Sequence, residues 1–291
     1  MFESFESLNL KIEDADIHLK RAGEGPPLLM LHGFPQTHVT WHKIAPTLAE
    51  RFQVIVPDVP GYGASTFPEI TVERMSKPFM ASLMVKTMRQ LGHERFHLIG
   101  HDRGARIGYR LALNSPDSVD RIAMIDTIPT IEVWEAMRYQ QAIDGYHWLL
   151  LAQPEPELHK LIASDGPAYA RHLLNRWAHH HDRIDPASFE ACAASYAKPS
   201  VVEAMFADYR AGASVDLEAD RVDRDAGRKI SAPLFFTWGQ FYMRTGAEKG
   251  VEAWKRWANN VTIGGALDSG HFPQEEDAQA CAAGLMKFFT S

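Results

Sequence analysis

Five consecutive residues, Gly100-His101-Asp102-Arg103-Gly104, set a carboxylate between two glycines. They follow an apolar run, Phe96–Gly100, and open an amphipathic one, Arg103–Asn114. A G-x-nucleophile-x-G turn joining a strand to a helix presents its central side chain at the top of a sheet. A carboxylate in that place needs no base to activate it, and the positive end of the helix dipole favours its ionised form. Asp102 is therefore equipped to displace a leaving group from an sp³ carbon, giving an aspartyl ester. Hydrolysis of that ester requires a second step with a histidine base and an oriented water.

There are 14 histidines, and position singles out one of them. His271, in Asp268-Ser269-Gly270-His271-Phe272, lies between the last strand signal and the last helix signal. A triad built on such an elbow takes the chain order nucleophile, acid, histidine. The acid that orients His271 is expected at Asp126, which ends the run after the elbow helix, in Ile125-Asp126-Thr127-Ile128-Pro129-Thr130. The other place for it, after a later strand, reads Trp238-Gly239-Gln240-Phe241 and holds no acid. Backbone N–H groups of Phe34, in His32-Gly33-Phe34-Pro35, and of Arg103 are the expected oxyanion donors for the tetrahedral stage of the second step. Arg103 and Arg106 stand i, i+3 on one helix face beside the nucleophile. Two guanidinium forks there form a receptor for a carboxylate, so a substrate held by its own carboxylate would turn its α-carbon to Asp102. The run His179-His180-His181 is weighed as a metal site and set aside. Adjacent histidines on a helix point in different directions, and no carboxylate pair has a matching spacing. No metal and no organic cofactor are expected.

These side chains need a frame. Pro26–Leu31, Gln53–Pro57, Phe96–Gly100 and Arg121–Asp126 read as short buried strands, with helical stretches around Trp41–Arg51, Val72–Leu91 and Arg103–Asn114 between them. Leu8–Lys20 alternates like an edge hairpin. Such alternation predicts a doubly wound α/β sheet, here a mostly parallel eight-stranded one with helices on both faces. From about Ile131 to Val222 the pattern is helical, broken at Gln153-Pro154-Glu155-Pro156, Gly166-Pro167, Asp185-Pro186 and Lys198-Pro199. Strand character returns at Pro233–Trp238 and Asn260–Ile263, and a final helix is expected over Glu275–Phe289. The division that follows is a core of residues 1–130 and 228–291 with an inserted helical cap, 131–227. A cap over the carboxyl ends of parallel strands encloses a pocket.

Composition limits the function classes. The chain has 291 residues, of which 45% are hydrophobic and 23% charged, and this excludes a largely disordered chain. A formal charge of −7 and a pI near 6.0 argue against a nucleic-acid partner. Two cysteines, Cys192 and Cys281, exclude a disulfide framework and a CxxC site. The first residues lack a basic stretch followed by an apolar one, and no apolar run approaches the ~20 residues that span a bilayer. A cytoplasmic location without membrane attachment is the expectation.

Several motifs in order resemble the fluoroacetate (haloacetate) dehalogenases of the α/β-hydrolase superfamily, over nearly the whole chain. They are His32-Gly33-Phe34-Pro35-Gln36-Thr37, Gly61-Tyr62-Gly63, the elbow continued to Arg106, Asp126-Thr127-Ile128-Pro129-Thr130, Tyr146-His147-Trp148 and Asp208-Tyr209-Arg210-Ala211. Epoxide hydrolases and haloalkane dehalogenases share the elbow but usually carry Trp after the nucleophile, where this chain has Arg103. The resemblance implies an α/β-hydrolase fold, release of halide from short 2-haloacids, and a halide site on His147, Trp148 and Tyr209. It also implies a small anionic substrate and admits a homodimer. The chain departs from the pattern at Val59-Pro60, where relatives often have Arg, and at Ala64, where an acid is frequent. The alternative is an epoxide hydrolase using the same Asp-His-Asp set. Tyr209, with Tyr139, Tyr146, Tyr169 or Tyr196, would then serve the epoxide oxygen, and the arginine pair would lack a purpose. A non-catalytic binding protein on this fold would be expected to have lost a triad member, and none is missing.

Overall fold

Eight strands form one sheet: β1 (Glu6–Ile12), β2 (Ala15–Ala22), β3 (Pro27–Leu31), β4 (Gln53–Pro57), β5 (Phe96–His101), β6 (Val119–Ile125), β7 (Leu234–Gly239) and β8 (Val261–Leu267). The computed structural model describes residues 1–243 and 246–291. The spatial order is β1-β2-β4-β3-β5-β6-β7-β8. The β1–β2 and β2–β4 pairs are antiparallel, and every pair from β4–β3 to β7–β8 is parallel.

Alternation along the central strands feeds two cores. Leu29, Leu31, Leu98, Ile122, Met124 and Phe236 pack on one face with Ile107, Tyr109 and aromatics such as Trp148, Trp177 and Tyr209. Leu28, Met30, Ile99, Ala123, Ile125 and Phe235 pack on the other, with Trp41, Leu285, Phe288 and Phe289. Strands apolar on both faces are what a covered parallel sheet requires. The sheet reverses its winding between β3 and β5: from β3 the chain crosses to β4 on one side, and from β5 to β6 on the other. Loops diverge at such a switch point and leave a crevice at the carboxyl ends of the strands. Phe34 and Asp102 lie just beyond the ends of those two strands.

Between β6 and β7 the described chain is helical, from Thr130–Ala136 to Val215–Asp225. Pro167, Pro186 and Pro199 stand in the first turns of Gly166–Trp177, Pro186–Ser195 and Pro199–Gly212. Proline fits there because its missing N–H would have no intrahelical partner anyway. Asp165 and Asp185 cap the first two of these helices through their carboxylates.

Three expected helices differ. The Val72–Leu91 stretch is helical only over Lys77–Gln90, where the Ser76 side chain caps its start. The Trp41–Arg51 stretch is a 3₁₀ turn, His38–Trp41, followed by a short helix, Ala45–Ala49. The final helix is split into Pro273–Glu276 and Ala278–Thr290. The break at Asp277 lets its carboxylate accept the Asp268 N–H at 3.0 Å, while Glu275 and Glu276 turn inward and are buried. No described helix is long and apolar enough to cross a membrane.

Candidate active site

The turn between β5 and the helix Asp102–Asn114 holds Asp102 at φ 44°, a left-handed backbone that costs a non-glycine residue strain. Gly104 permits the turn, since a Cβ there would lie 2.3 Å from the Leu31 carbonyl oxygen. The Phe34 N–H donates to Asp102 Oδ1 at 3.0 Å. This fixes one carboxylate oxygen beside the backbone donor and leaves Oδ2 toward His271, 3.8 Å from its Nε2. Burial works to raise the Asp102 carboxyl. The neighbouring His271 imidazole and the Arg106 and Arg103 guanidiniums outweigh it and hold the group below the usual carboxylate range. Asp102 is thus ionised at neutral pH.

His271 is fixed on several sides. Its Nδ1–H donates to Asp126 Oδ2. Asp126, also at positive φ (52°), accepts the Gly239 N–H on Oδ1 at 2.9 Å. With Nδ1 as donor, Nε2 carries the lone pair that faces Asp102. His101 donates from Nε2 to the His271 carbonyl at 2.7 Å. Burial pushes His101 down to about 3, so it does this as a neutral ring. The Tyr242 ring stacks on His271 with centroids 4.1 Å apart, and Trp177 from the helical segment meets it edge-on at 5.4 Å.

A cavity of about 600 Å³ opens over this group, lined among others by Asp102, Arg106, Asp126, His147, Trp148 and His271. The two arginines expected to act together are used differently. Arg106 faces the cavity. Its Nη1 donates to the Ile128 carbonyl at 2.8 Å and to Thr130 Oγ1 at 3.2 Å, and its buried Nε has no hydrogen-bond partner. Arg103 lies behind the lining, with Nε on Asp208 Oδ2 at 3.0 Å and Nη2 on the Asp208 carbonyl at 2.8 Å and on its Oδ1. Asp208 also accepts from Lys77 Nζ and, at 2.7 Å, from the Tyr62 hydroxyl. One nitrogen of Arg103, Nη1, is buried without a partner. Its guanidinium thus stands mainly as a buried ion-pair member, and of the two arginines it is Arg106 that lines the pocket.

His147, Trp148 and Tyr209 are gathered into one cluster. The Tyr209 ring is edge-on to both His147 and Trp148, each at 5.7 Å. Arg106 sits over Trp148 at 4.7 Å and Arg103 over Tyr209 at 4.3 Å, within cation–π range. Burial pushes His147 down to about 3, so the ring is neutral, and its Nδ1 has no partner.

The histidine run does not converge. His179 stacks on Phe241, and His180 Nε2 lies 3.1 Å from Asp268. Among the described residues the group with ligand atoms within 4.8 Å of one another is His18, His38 and Asp58, none of which lines the cavity. Asp58 there already accepts from the His38 and Ala64 backbone N–H groups, both at 2.8 Å. Sequence reasoning missed Asp208 and Tyr242. Asp208 stands in the motif Asp208-Tyr209-Arg210-Ala211 but shares its helix with Glu203, so type and spacing alone do not give it a role, and nothing in the spacing points to Tyr242.

Residues 26–278 match the family described as having the alpha/beta hydrolase fold. A fluoroacetate dehalogenase from Burkholderia sp. is 38% identical over 276 residues, 94% of this chain and 90% of that protein. A soluble epoxide hydrolase from Corynebacterium sp. (strain C12) is 29% identical over 94% of this chain and 93% of its own. A solved α/β-hydrolase structure from Nostoc sp. PCC 7120 superposes with a TM-score of 0.95 at 36% identity, covering 100% of this chain and 99% of that one.

Proposed function

The chain belongs to the α/β-hydrolase fold family, and from that premise we propose that it is a hydrolytic dehalogenase of short 2-haloacids, acting without metal or organic cofactor. The observation that carries this reading is Arg106. It lines the cavity beside Asp102 and keeps a buried guanidinium nitrogen without a partner. An unpaired buried donor is costly, and a substrate carboxylate would satisfy it with a charge-assisted bond. The likeness to a fluoroacetate dehalogenase supports the same substrate class.

Arg106 holds the carboxylate of the acid, and Asp102 Oδ2 attacks the α-carbon. The C–O bond forms as the carbon–halogen bond breaks, and the halide leaves with the bonding pair. His147, Trp148 and Tyr209 offer imidazole, indole and phenol donors to the departing ion. The ester carbonyl oxygen is then Oδ1, already within reach of the Phe34 N–H. His271 Nε2 takes a proton from water, whose oxygen adds to Asp102 Cγ. The resulting oxyanion is held by the Phe34 N–H, with the Arg103 N–H as the expected second donor. Collapse returns that proton to the departing oxygen and releases the 2-hydroxyacid, and Asp102, left as the carboxylic acid, loses the second proton of the water to solvent and is restored as the carboxylate.

Epoxide opening by the same Asp102 is the second reading, favoured by the 29% likeness to a soluble epoxide hydrolase. Incubation with fluoroacetate, chloroacetate and a styrene-type epoxide separates the two. Halide release from the acids with little diol is the expected result, and preference for the epoxide would overturn the dehalogenase reading.

A further inference from the structure

The Glu276 side chain is buried and lies five positions beyond the catalytic histidine, on the short helix Pro273–Glu276. Its carboxylate accepts four backbone N–H groups. Oε1 takes Phe272 at 3.1 Å, and Oε2 takes Gly270 at 3.0 Å and both His179 and His180 at 2.8 Å. Two of these donors flank His271, and the other two belong to the helical segment, directly after Trp177-Ala178. The His271 N–H itself donates to the Trp177 carbonyl at 2.8 Å. Gly270 is what allows the two backbones to lie this close, because a Cβ there would fall 2.3 Å from the Trp177 carbonyl oxygen. The same carboxylate therefore ties the loop of the general base to the residues that follow the helix Gly166–Trp177. That ring covers His271 at 5.4 Å and touches His147 at 4.7 Å.

We propose that Glu276 is a positioning residue for His271. By holding the N–H groups on both sides of the histidine together with those of His179 and His180, it sets the height of Nε2 over Asp102. It sets at the same time the wall formed by Trp177. Asp126 fixes the rotation and tautomer of the ring, and Glu276 fixes where the ring's backbone stands. The consequence is specific to one step. Attack by Asp102 on carbon needs no base, so it depends weakly on His271, whereas ester hydrolysis needs Nε2 within reach of a water. Loss of the strap should slow the second step and spare the first.

This inference rests on the aspartyl-ester chemistry above, but not on the choice of substrate, since a haloacid and an epoxide both pass through an ester on Asp102. The test uses whichever substrate the wild-type enzyme turns over. Glu276→Gln presents an NH₂ group to N–H donors and can satisfy only one side of the strap. Losing one hydrogen bond to a charged group corresponds to about a tenfold to hundredfold fall in steady-state kcat. The burst of halide, or of substrate consumption, should keep its wild-type rate, and intact-protein mass spectrometry should show ester accumulating in the variant. Glu276→Asp, which keeps the charge but shortens the reach, should give a smaller effect in the same direction. A purely structural role would lower the melting temperature in both variants without changing the ratio of the two steps, and that result overturns the proposal. If neither variant folds, hydrogen exchange in the wild-type protein decides. The Gly270, Phe272, His179 and His180 amides should be protected together, and free exchange at His179 and His180 beside protected Gly270 and Phe272 would overturn it. A wild-type enzyme that forms no ester with any substrate refutes the functional reading instead.

Discussion

Replacing Arg106 by lysine separates a carboxylate receptor from a structural cation. In the wild type one arm of the guanidinium, Nη1, is spent on the Ile128 carbonyl and Thr130 Oγ1, while Nε remains unpaired at the cavity. Lysine has one nitrogen on a flexible stem. If it reaches Ile128 it no longer presents a donor to the substrate, and if it turns to the substrate the Ile128 carbonyl loses its partner. In either case about one charge-assisted bond is lost, ~1.5–3 kcal/mol, or roughly 10- to 150-fold in kcat/KM for fluoroacetate. KM should rise because the carboxylate is held less well, and kcat should fall because the carbon–halogen bond is no longer kept in line with Asp102. The assay is halide release with fluoroacetate and chloroacetate, run beside an uncharged haloalkane. The acid should lose most of its rate and the neutral compound little. Wild-type activity of the variant on the acid, or equal losses on both substrates, would refute the receptor role of Arg106.

Asp126→Asn should slow ester hydrolysis by up to ~10⁴-fold, because an amide no longer enforces the Nδ1–H tautomer of His271; single-turnover rates check this, and an unchanged second step would contradict it. Asp208→Asn leaves Arg103 and Lys77 buried with Asp216 as the remaining carboxylate nearby, and should cost about 3–5 kcal/mol in urea unfolding, with a loss below ~1 kcal/mol contradicting the ion-pair account. Burial pushes Glu275 up to about 7 from an ordinary value of 4.5, with Ser188 donating to it across the fold at 2.7 Å. The folded state thus binds this proton more tightly than the unfolded one, so the contribution is complete below pH 4.5 and is lost as pH rises through about 7. Wild-type stability should fall by up to roughly 3 kcal/mol across that window, and Glu275→Gln should flatten the fall; parallel pH profiles of the two would count against it.

The strands and the elbow were legible because their signals are local. Gln53–Pro57 is apolar, short and bounded by turns, and β4 has those limits. Asp102 between glycines at a strand–helix junction identifies itself by spacing, and His271 by its place between the last strand and the last helix. The roles of the two arginines were not legible. They stand i, i+3 on one helix, yet Arg103 meets a carboxylate 105 positions away on the helix Pro199–Gly212. Only tertiary packing decides which guanidinium enters such a pair and which lines the cavity. The final helix was misjudged for a related reason. Glu275 and Glu276 fit a helix start by type, but their carboxylates are taken by Ser188 and by backbone donors of other segments, and the helix breaks at Asp277. The prolines at 167, 186 and 199 mark the same positions in sequence and structure, as the first turns of new helices.

The most direct measurement of the central claim is intact-protein mass spectrometry of His271→Ala after brief exposure to fluoroacetate or chloroacetate. The account predicts one equivalent of halide released and a protein heavier by one carboxymethyl group, mapped by peptide digestion to Asp102 and absent in the double variant that also carries Asp102→Asn. An unmodified protein that continues to release halide, or a label on any residue other than Asp102, would contradict it.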